Sequence, residues 1–402
     1  ITRKYRSIVN RDFDTIVVGV GGIGSAACYW AARAGERVLG LEQFNLNHSN
    51  GASQDHSRII RLAQFEEPYA SLAPGAYRAW HDVENESGVQ LVLKTGGLII
   101  EDVTARAGLD TGDRNIAGYV RAFRDHGVDF ELLTADEVMT RWPQYTLRGD
   151  EMAIFQKESG LVDAAKGVSV HVALARARGA VIEGDNPVLA LRSTALGVEV
   201  VTDDETYLAR HVITAADGWT NEILPPDATP LSYVVTQEQV TYYATQNLAD
   251  FAPNRFPVFM WHGEDNFYGF PVYGEVATKL GQHLGGHHVT ARSRTFVVDP
   301  VRIKSQRNFL TERIPGFLGP ELYTKTCLYT IPPDNNFVLG PLKSDPRVCV
   351  FIGAGHAYKF ASLVGQILTD LALKGTTSQD ITGLEPDRPA LTDPDFNAHY
   401  HR

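Results

Sequence analysis

Three glycines and one acid make the first chemical pattern in this chain. Gly19, Gly21 and Gly24 spell G-x-G-x-x-G, and Glu42 closes the next apolar run. In this arrangement the first glycine allows a tight turn and the second lets the backbone approach a pyrophosphate. The third lets a helix pack on a strand, so that the phosphates rest on the helix N-terminus. Glu42 is then placed to accept from ribose hydroxyls. The elements that must position these residues are readable around them. Thr15–Val18 is a β-branched strand, Ile23–Ala34 an alanine-rich helix and Val38–Leu41 a second strand. The pattern points to an adenine dinucleotide, and at this level NAD and FAD both remain open.

Composition narrows the class. The chain has 402 residues and a net charge of −11, with no basic block, which disfavours a nucleic-acid partner and leaves room for a small anionic substrate held by local cations. No apolar run reaches membrane-spanning length. Three cysteines, Cys28, Cys327 and Cys349, form no C-x-x-C, which argues for a reducing, cytoplasmic setting. The lead-in Thr2–Asp12 lacks the apolar centre of a signal peptide.

Along the chain, Asn45–Arg61 reads as a polar loop near the dinucleotide, with Arg58 and Arg61 beginning a helix that has one cationic face. Ala70–Glu86 reads as a helix. Gly96 opens a strand, Ile116–His126 is helical, and Leu132–Trp142 has Thr134 as an N-cap with Glu137 three residues on, a capping box. From Gly160 comes a helix of Ala, Val and Leu followed by a strand, then a hairpin at Gly197–Thr202 and Tyr207–Leu208. Alternation over 231–330 predicts an antiparallel sheet whose dense aromatics are mainly packing. Arg347–Lys359 is a strand and glycine turn leading into an amphipathic helix, Phe360–Leu373. The predicted class is α/β plus α+β. A Rossmann-type domain (1–95, 160–228, 333–391) is interleaved with a substrate domain on a mostly antiparallel sheet (96–159, 229–332), and 392–402 is a tail. His283, His287 and His288 straddle two glycines without an acid, so no metal site is expected.

Five ordered segments carry a resemblance: DTIVVGVGGIGSAA, SRIIR at Ser57–Arg61, YGFPVYGEVATKLGQH, CLYTIPPDNNFVLG and GAGHAYKF. Together, over about residues 14–391, they resemble the monomeric sarcosine oxidase family of flavoprotein amine oxidases. That family also holds N-methyltryptophan, pipecolate and fructosyl-amino-acid oxidases. The resemblance implies FAD, a fold like that of D-amino-acid oxidase and a monomer. It implies oxidation of a carboxylate-bearing secondary amine by hydride transfer to flavin N5, with oxygen taking the electrons as hydrogen peroxide. A larger-pocket oxidase of the N-methyltryptophan or fructosyl type, or a same-fold dehydrogenase with another acceptor, are the alternatives.

The resemblance also implies roles. Cys327 matches the cysteine that carries the flavin through a thioether. Lys279 matches the lysine that promotes reaction with oxygen, and Arg61 with Lys359 the pair that holds the substrate carboxylate. Arg58 falls near the flavin ring, and Gly353, Gly355 and His356 at the flavin edge. His283, Tyr268 and Tyr329 match active-site positions. Where members commonly read GSHHGDTRIIR, this chain reads GASQDHSRIIR, so Gln54 replaces a histidine near the flavin and His56 an aspartate. These departures bear on which substrate is preferred.

Overall fold

The computed structural model describes residues 9–10, 12–109, 112 and 114–400; the rest of the lead-in and the last two residues of the tail lie outside the described residues. Thr15–Val18 sits near the middle of a six-stranded sheet. Its spatial order is Val181–Glu183, Val38–Leu41, Thr15–Val18, His211–Thr214, Val348–Ile352 and Val338–Pro341. All neighbours are parallel except the last pair. The run TIVV is buried on both faces, as a central parallel strand must be. Val17 faces the helices Gly22–Arg33, Ala164–Ala177 and Ala361–Lys374, while Ile16 and Val18 face Leu191, Val198 and Val200 of a separate four-stranded sheet. Each such fully buried aliphatic side chain contributes roughly 1.5–3 kcal/mol.

The second body is a nine-stranded sheet. Glu321–Ile331 pairs with Val234–Tyr243, and the order continues through Thr278–Gln282, Asn266–Phe270, Val258–His262, Gly97–Asp102, Glu151–Gln156 and Glu131–Thr134, with His287–Val289 at the other end. It is antiparallel except where Val258–His262 runs parallel to Gly97–Asp102. One face buries an aromatic cluster, Phe251, Phe256, Phe259, Trp261, Phe309 and Phe317, under the helix Pro300–Arg313. On the other face Ile99, Ile154 and Met260 pack with Tyr119 and Phe123 of the helix Ile116–Asp125, and Tyr268, Cys327 and Tyr329 line a cavity.

Two local expectations are corrected. Arg58–Ile60 is a strand paired antiparallel with Gly160–Val162, not the start of a helix. The β-branched pair Ile59–Ile60 prefers the pleated surface, and on the other side of Gly160–Val162 the strand Val92–Leu93 closes in at Gly160, where a Cβ would lie 2.0 Å from the Leu93 carbonyl oxygen. Gly160–Val162 is correspondingly strand, and the helix begins only after Asp163, whose side chain caps the Lys166 N–H at 3.0 Å. The capping box of Thr134 and Glu137 is present as expected and starts the helix Ala135–Arg141, while Glu131–Thr134 before it pairs with the large sheet. The tail folds back: His399 and Tyr400 lie against the Pro332–Asn335 turn and the Cys327 cluster.

Candidate functional site

A single large cavity of about 880 Å³ runs from the glycine turn to the face of the large sheet. At one end Gly19 adopts φ +84°, and a Cβ on Gly24 would lie 1.7 Å from the Gly19 carbonyl oxygen, so the helix Gly22–Arg33 seats on the strand only through glycine. That helix has no side-chain cap at Gly21 and no acid in its first turn. Its N-terminal N–H groups and dipole therefore open into the cavity, apart from the Gly22 N–H, which donates to Ser53 Oγ at 2.8 Å. Glu42 Oε2 accepts the Val20 N–H at 2.8 Å, and Oε1 accepts the Phe44 N–H at 3.2 Å with His48 at the same distance. Oε2, with one partner, keeps a lone pair for a ribose hydroxyl. Trp219, Ile223 and Val188 supply apolar wall beyond it, with Asp217 held at a left-handed position, φ +47°.

The middle of the cavity is organised by the loop before Arg58. The guanidinium donates to the carbonyls of Ala52 (2.9 Å), Gln54 (2.7 Å) and Ser57 (2.9 Å), so it folds the loop around itself. Gln54 Nε2 in turn donates to the Thr326 carbonyl at 2.7 Å, and Arg294 donates to the same oxygen at 2.9 Å. Both contacts brace the residue before Cys327. That thiol lines the cavity at the centre of Glu321–Ile331; burial pushes it up to about 11, while Arg58, Arg294 and Lys279 pull the other way. Gly355, at φ +76°, lies under Tyr329, where a Cβ would meet the ring at 2.3 Å. Gly353 and His356 line the same wall, and His356 is held well below its ordinary value by burial and by Lys359.

The far end collects charge. Arg61 and Lys359, far apart in sequence, line it together with Glu66, Arg114, His262, His283 and Tyr268. Arg61 donates to the Ala63 carbonyl and lies 5.6 Å from the centre of the Tyr119 ring. Lys359 Nζ donates to the His356 carbonyl at 2.6 Å; burial and then Arg61 hold its ammonium well below the ordinary lysine range. His283 is lowered to about 3 by burial and by Arg114, His262, Lys359 and Arg61, so it is neutral at physiological pH. Burial raises the Tyr268 and Tyr329 phenols, keeping both protonated. Glu66, beside this cluster, is raised by burial against the pull of Arg114, Arg61 and Lys359. A cationic, water-poor end with neutral imidazoles and phenols suits a small anion that also carries a titratable amine.

Lys279 is placed differently from the others. Its ammonium is absent from the cavity wall and lies behind it, 2.6 Å from Asp55 Oδ2 and 2.9 Å from the Ser57 carbonyl. Sequence reasoning had not singled out Asp55, Glu66, Arg114, His262 or Asp217. Of these, Asp217 carries a sequence signal, the Asp-Gly pair of a turn; the left-handed backbone that Asp55 and Asp217 share is visible only in the structure.

The turn, the cavity and its charged end define a dinucleotide-binding site beside an anion-binding pocket, and comparison with known proteins gives its class. The profile of the family described as "FAD dependent oxidoreductase" matches residues 14–371, and the chain belongs to that family. It is 30% identical to a monomeric sarcosine oxidase of Streptomyces avermitilis over 94% of this chain and 98% of that protein. It is likewise 30% identical to an N-methyl-L-tryptophan oxidase of Yersinia pestis over 92% and 98%. Among solved structures it is similar to NikD, described as an unusual amino acid oxidase essential for nikkomycin biosynthesis, with 26% identity, a TM-score of 0.82 and coverage of 94% and 98%. Among the described residues no helix is long and apolar enough to cross a membrane.

Proposed function

We propose that the protein, as a monomer, oxidises a secondary amine bearing a carboxylate, an N-alkyl or cyclic amino acid, using FAD held covalently through Cys327. The observation that carries this reading is the convergence of Arg61 and Lys359 at the cavity end nearest Tyr268, Tyr329 and Cys327. The residues fit the cofactor: the glycine cradle and uncapped helix end suit its pyrophosphate and Glu42 its ribose, while Gly353 and Gly355 line the wall toward Cys327. When bound, FAD supplies the acceptor for a hydride from the carbon beside nitrogen, leaving an imine, and hands the electron pair to dioxygen as hydrogen peroxide.

The chain's own part is positioning and charge. Arg61 offers a planar fork and Lys359 a point charge, so together they orient the carboxylate and fix where the amine nitrogen falls. The cationic surround favours the neutral amine, whose lone pair is needed as the hydride leaves. Neutral His283 and the protonated phenols of Tyr268 and Tyr329 are placed to accept or donate at that nitrogen. Arg58 and Arg294 favour the Cys327 thiolate, the form that bonds to carbon. The apolar wall of Phe65, Tyr119 and Met260 favours a second reading within the same chemistry, a substrate with a bulky N- or side-chain substituent.

The test is a peroxide-coupled assay over N-methyl, cyclic and fructosyl amino acids beside their amides. Peroxide from acids and little from amides is expected; a protein that yields none from any of them overturns the reading. Covalent attachment is checked separately. Acid precipitation of the yellow protein is expected to leave the colour in the pellet, and Cys327→Ser to release all of it to the supernatant. A wild-type pellet without colour removes the role of Cys327.

A further inference from the structure

Asp55 is buried at 6% exposure and adopts φ +86°. A side chain at such a backbone position costs about 1 kcal/mol or more, and it persists only where surrounding contacts hold it. Here they do. Lys279 lies at 2.6 Å, the Tyr242 phenol donates to the other carboxylate oxygen, and Arg58 lies at 3.9 Å. Lys279 comes from Thr278–Gln282, which pairs with Tyr242 on one side and Phe270 on the other, and its ammonium also reaches Ser57 Oγ at 3.2 Å. The charged and titratable groups around it are Asp55, Arg58 and Cys327. Beyond Tyr242, Tyr323 donates to Glu275 at 2.8 Å, and Glu275 faces His56 at 3.5 Å. Asp55 itself is on the cavity wall, whereas Lys279 is behind it.

We propose that Asp55 is the positioning residue for Lys279, supplying from its left-handed position the buried counter-charge that keeps the ammonium charged and tied to Ser57 at the cofactor. The inference rests on the function proposed above, in which dioxygen takes the electrons, and on the oxygen-promoting role that the family resemblance implies for Lys279. An isolated buried ammonium gives up its proton; burial already lowers Lys279 to about 8 while Asp55 opposes that fall. Because this base is lowered on folding, its charge is present below about pH 8 and is lost as pH rises through that value. Without the Asp55 carboxylate the same loss moves to lower pH.

Two readouts test the pair. In the first, substrate- or dithionite-reduced holoprotein is mixed with oxygen between pH 6 and 10. Wild type is expected to slow through an inflection near pH 8. Asp55→Asn should show the inflection displaced to acid by about one unit or more, and reoxidation about tenfold slower just below pH 8. Asp55→Gly, which relieves the backbone, should behave alike and covers the case in which the asparagine variant does not fold. Lys279→Met should be slow at all pH values, and Asp55→Asn should slow it no further. In the second readout, thermal unfolding needs no turnover. Asp55→Asn and Lys279→Met should each lower Tm, and the double variant should lie well above the sum of the two losses. A wild-type reoxidation profile in both Asp55 variants, or additive Tm losses, overturns the proposal. A wild-type protein that reoxidises when dithionite-reduced, yet is reduced by no carboxylated amine, fails the function proposed above and leaves the pair to be decided by these profiles.

Discussion

Arg61→Ala is expected to lower kcat/KM for a carboxylate-bearing amine by about 10²–10³, with most of the loss in KM, while the amide or ester of the same amine changes little. The magnitude is that of removing one partner from a desolvated, charge-assisted contact, about 2–5 kcal/mol. The selectivity for the acid follows from geometry, since Arg61 and Lys359 share the cavity end and Glu66 is the acid facing them there. Lys359 adds a pH signature. Burial and Arg61 hold it well below the ordinary lysine value of 10.5, and a docked carboxylate restores its charge. Binding between the lowered and the restored value therefore takes up a proton, and affinity falls as pH rises through that window. Calorimetry of a carboxylate inhibitor in two buffers of different ionisation enthalpy reads the uptake directly. Equal losses for acid and amide, with no proton uptake, would remove the clamp.

Gly24→Ala is expected to yield protein without bound flavin and to cost about 3 kcal/mol or more of stability. The new Cβ would sit 1.7 Å from the Gly19 carbonyl oxygen, a backbone atom that can move only by opening the helix from the strand. Separation there takes the helix N-terminus away from the pyrophosphate position. Gly35→Ala is the control: unlike Gly24 it has positive φ, +92°, but a Cβ there meets nothing within 4 Å, so it should cost about 1 kcal/mol in backbone strain and keep its colour. Flavin absorbance at purification and Tm separate the two. A yellow Gly24→Ala protein with wild-type Tm would contradict the cradle.

The parts of this fold legible in the sequence are those fixed by local chemistry. The glycine turn, the doubly buried TIVV strand, the Thr134–Glu137 capping box and the helix after Gly355 each follow from residues within one turn or strand of one another. What misled was context. Ile59 and Ile60 sit between arginines spaced as on a helix face, yet the neighbouring Gly160–Val162 strand claims them, and that partner is about a hundred residues away. The site divides in the same way. Gly19, Gly24 and Glu42 declare themselves by spacing, whereas Arg61, Lys359 and Cys327 come together only through the packing of two sheets, and reached the sequence reading through family resemblance. Asp55 shows what such resemblance omits. Its meaning appears only when the Thr278–Gln282 strand brings Lys279 against it.

The most direct measurement is an anaerobic titration of the purified yellow protein with N-methyl and cyclic amino acids, followed by the visible flavin absorbance. The account predicts bleaching by at least one carboxylated secondary amine, none by its amide at the same concentration, and return of the colour with one peroxide per substrate when air is admitted. Absorbance unchanged by every amine in the panel, in protein that dithionite bleaches normally, would contradict it.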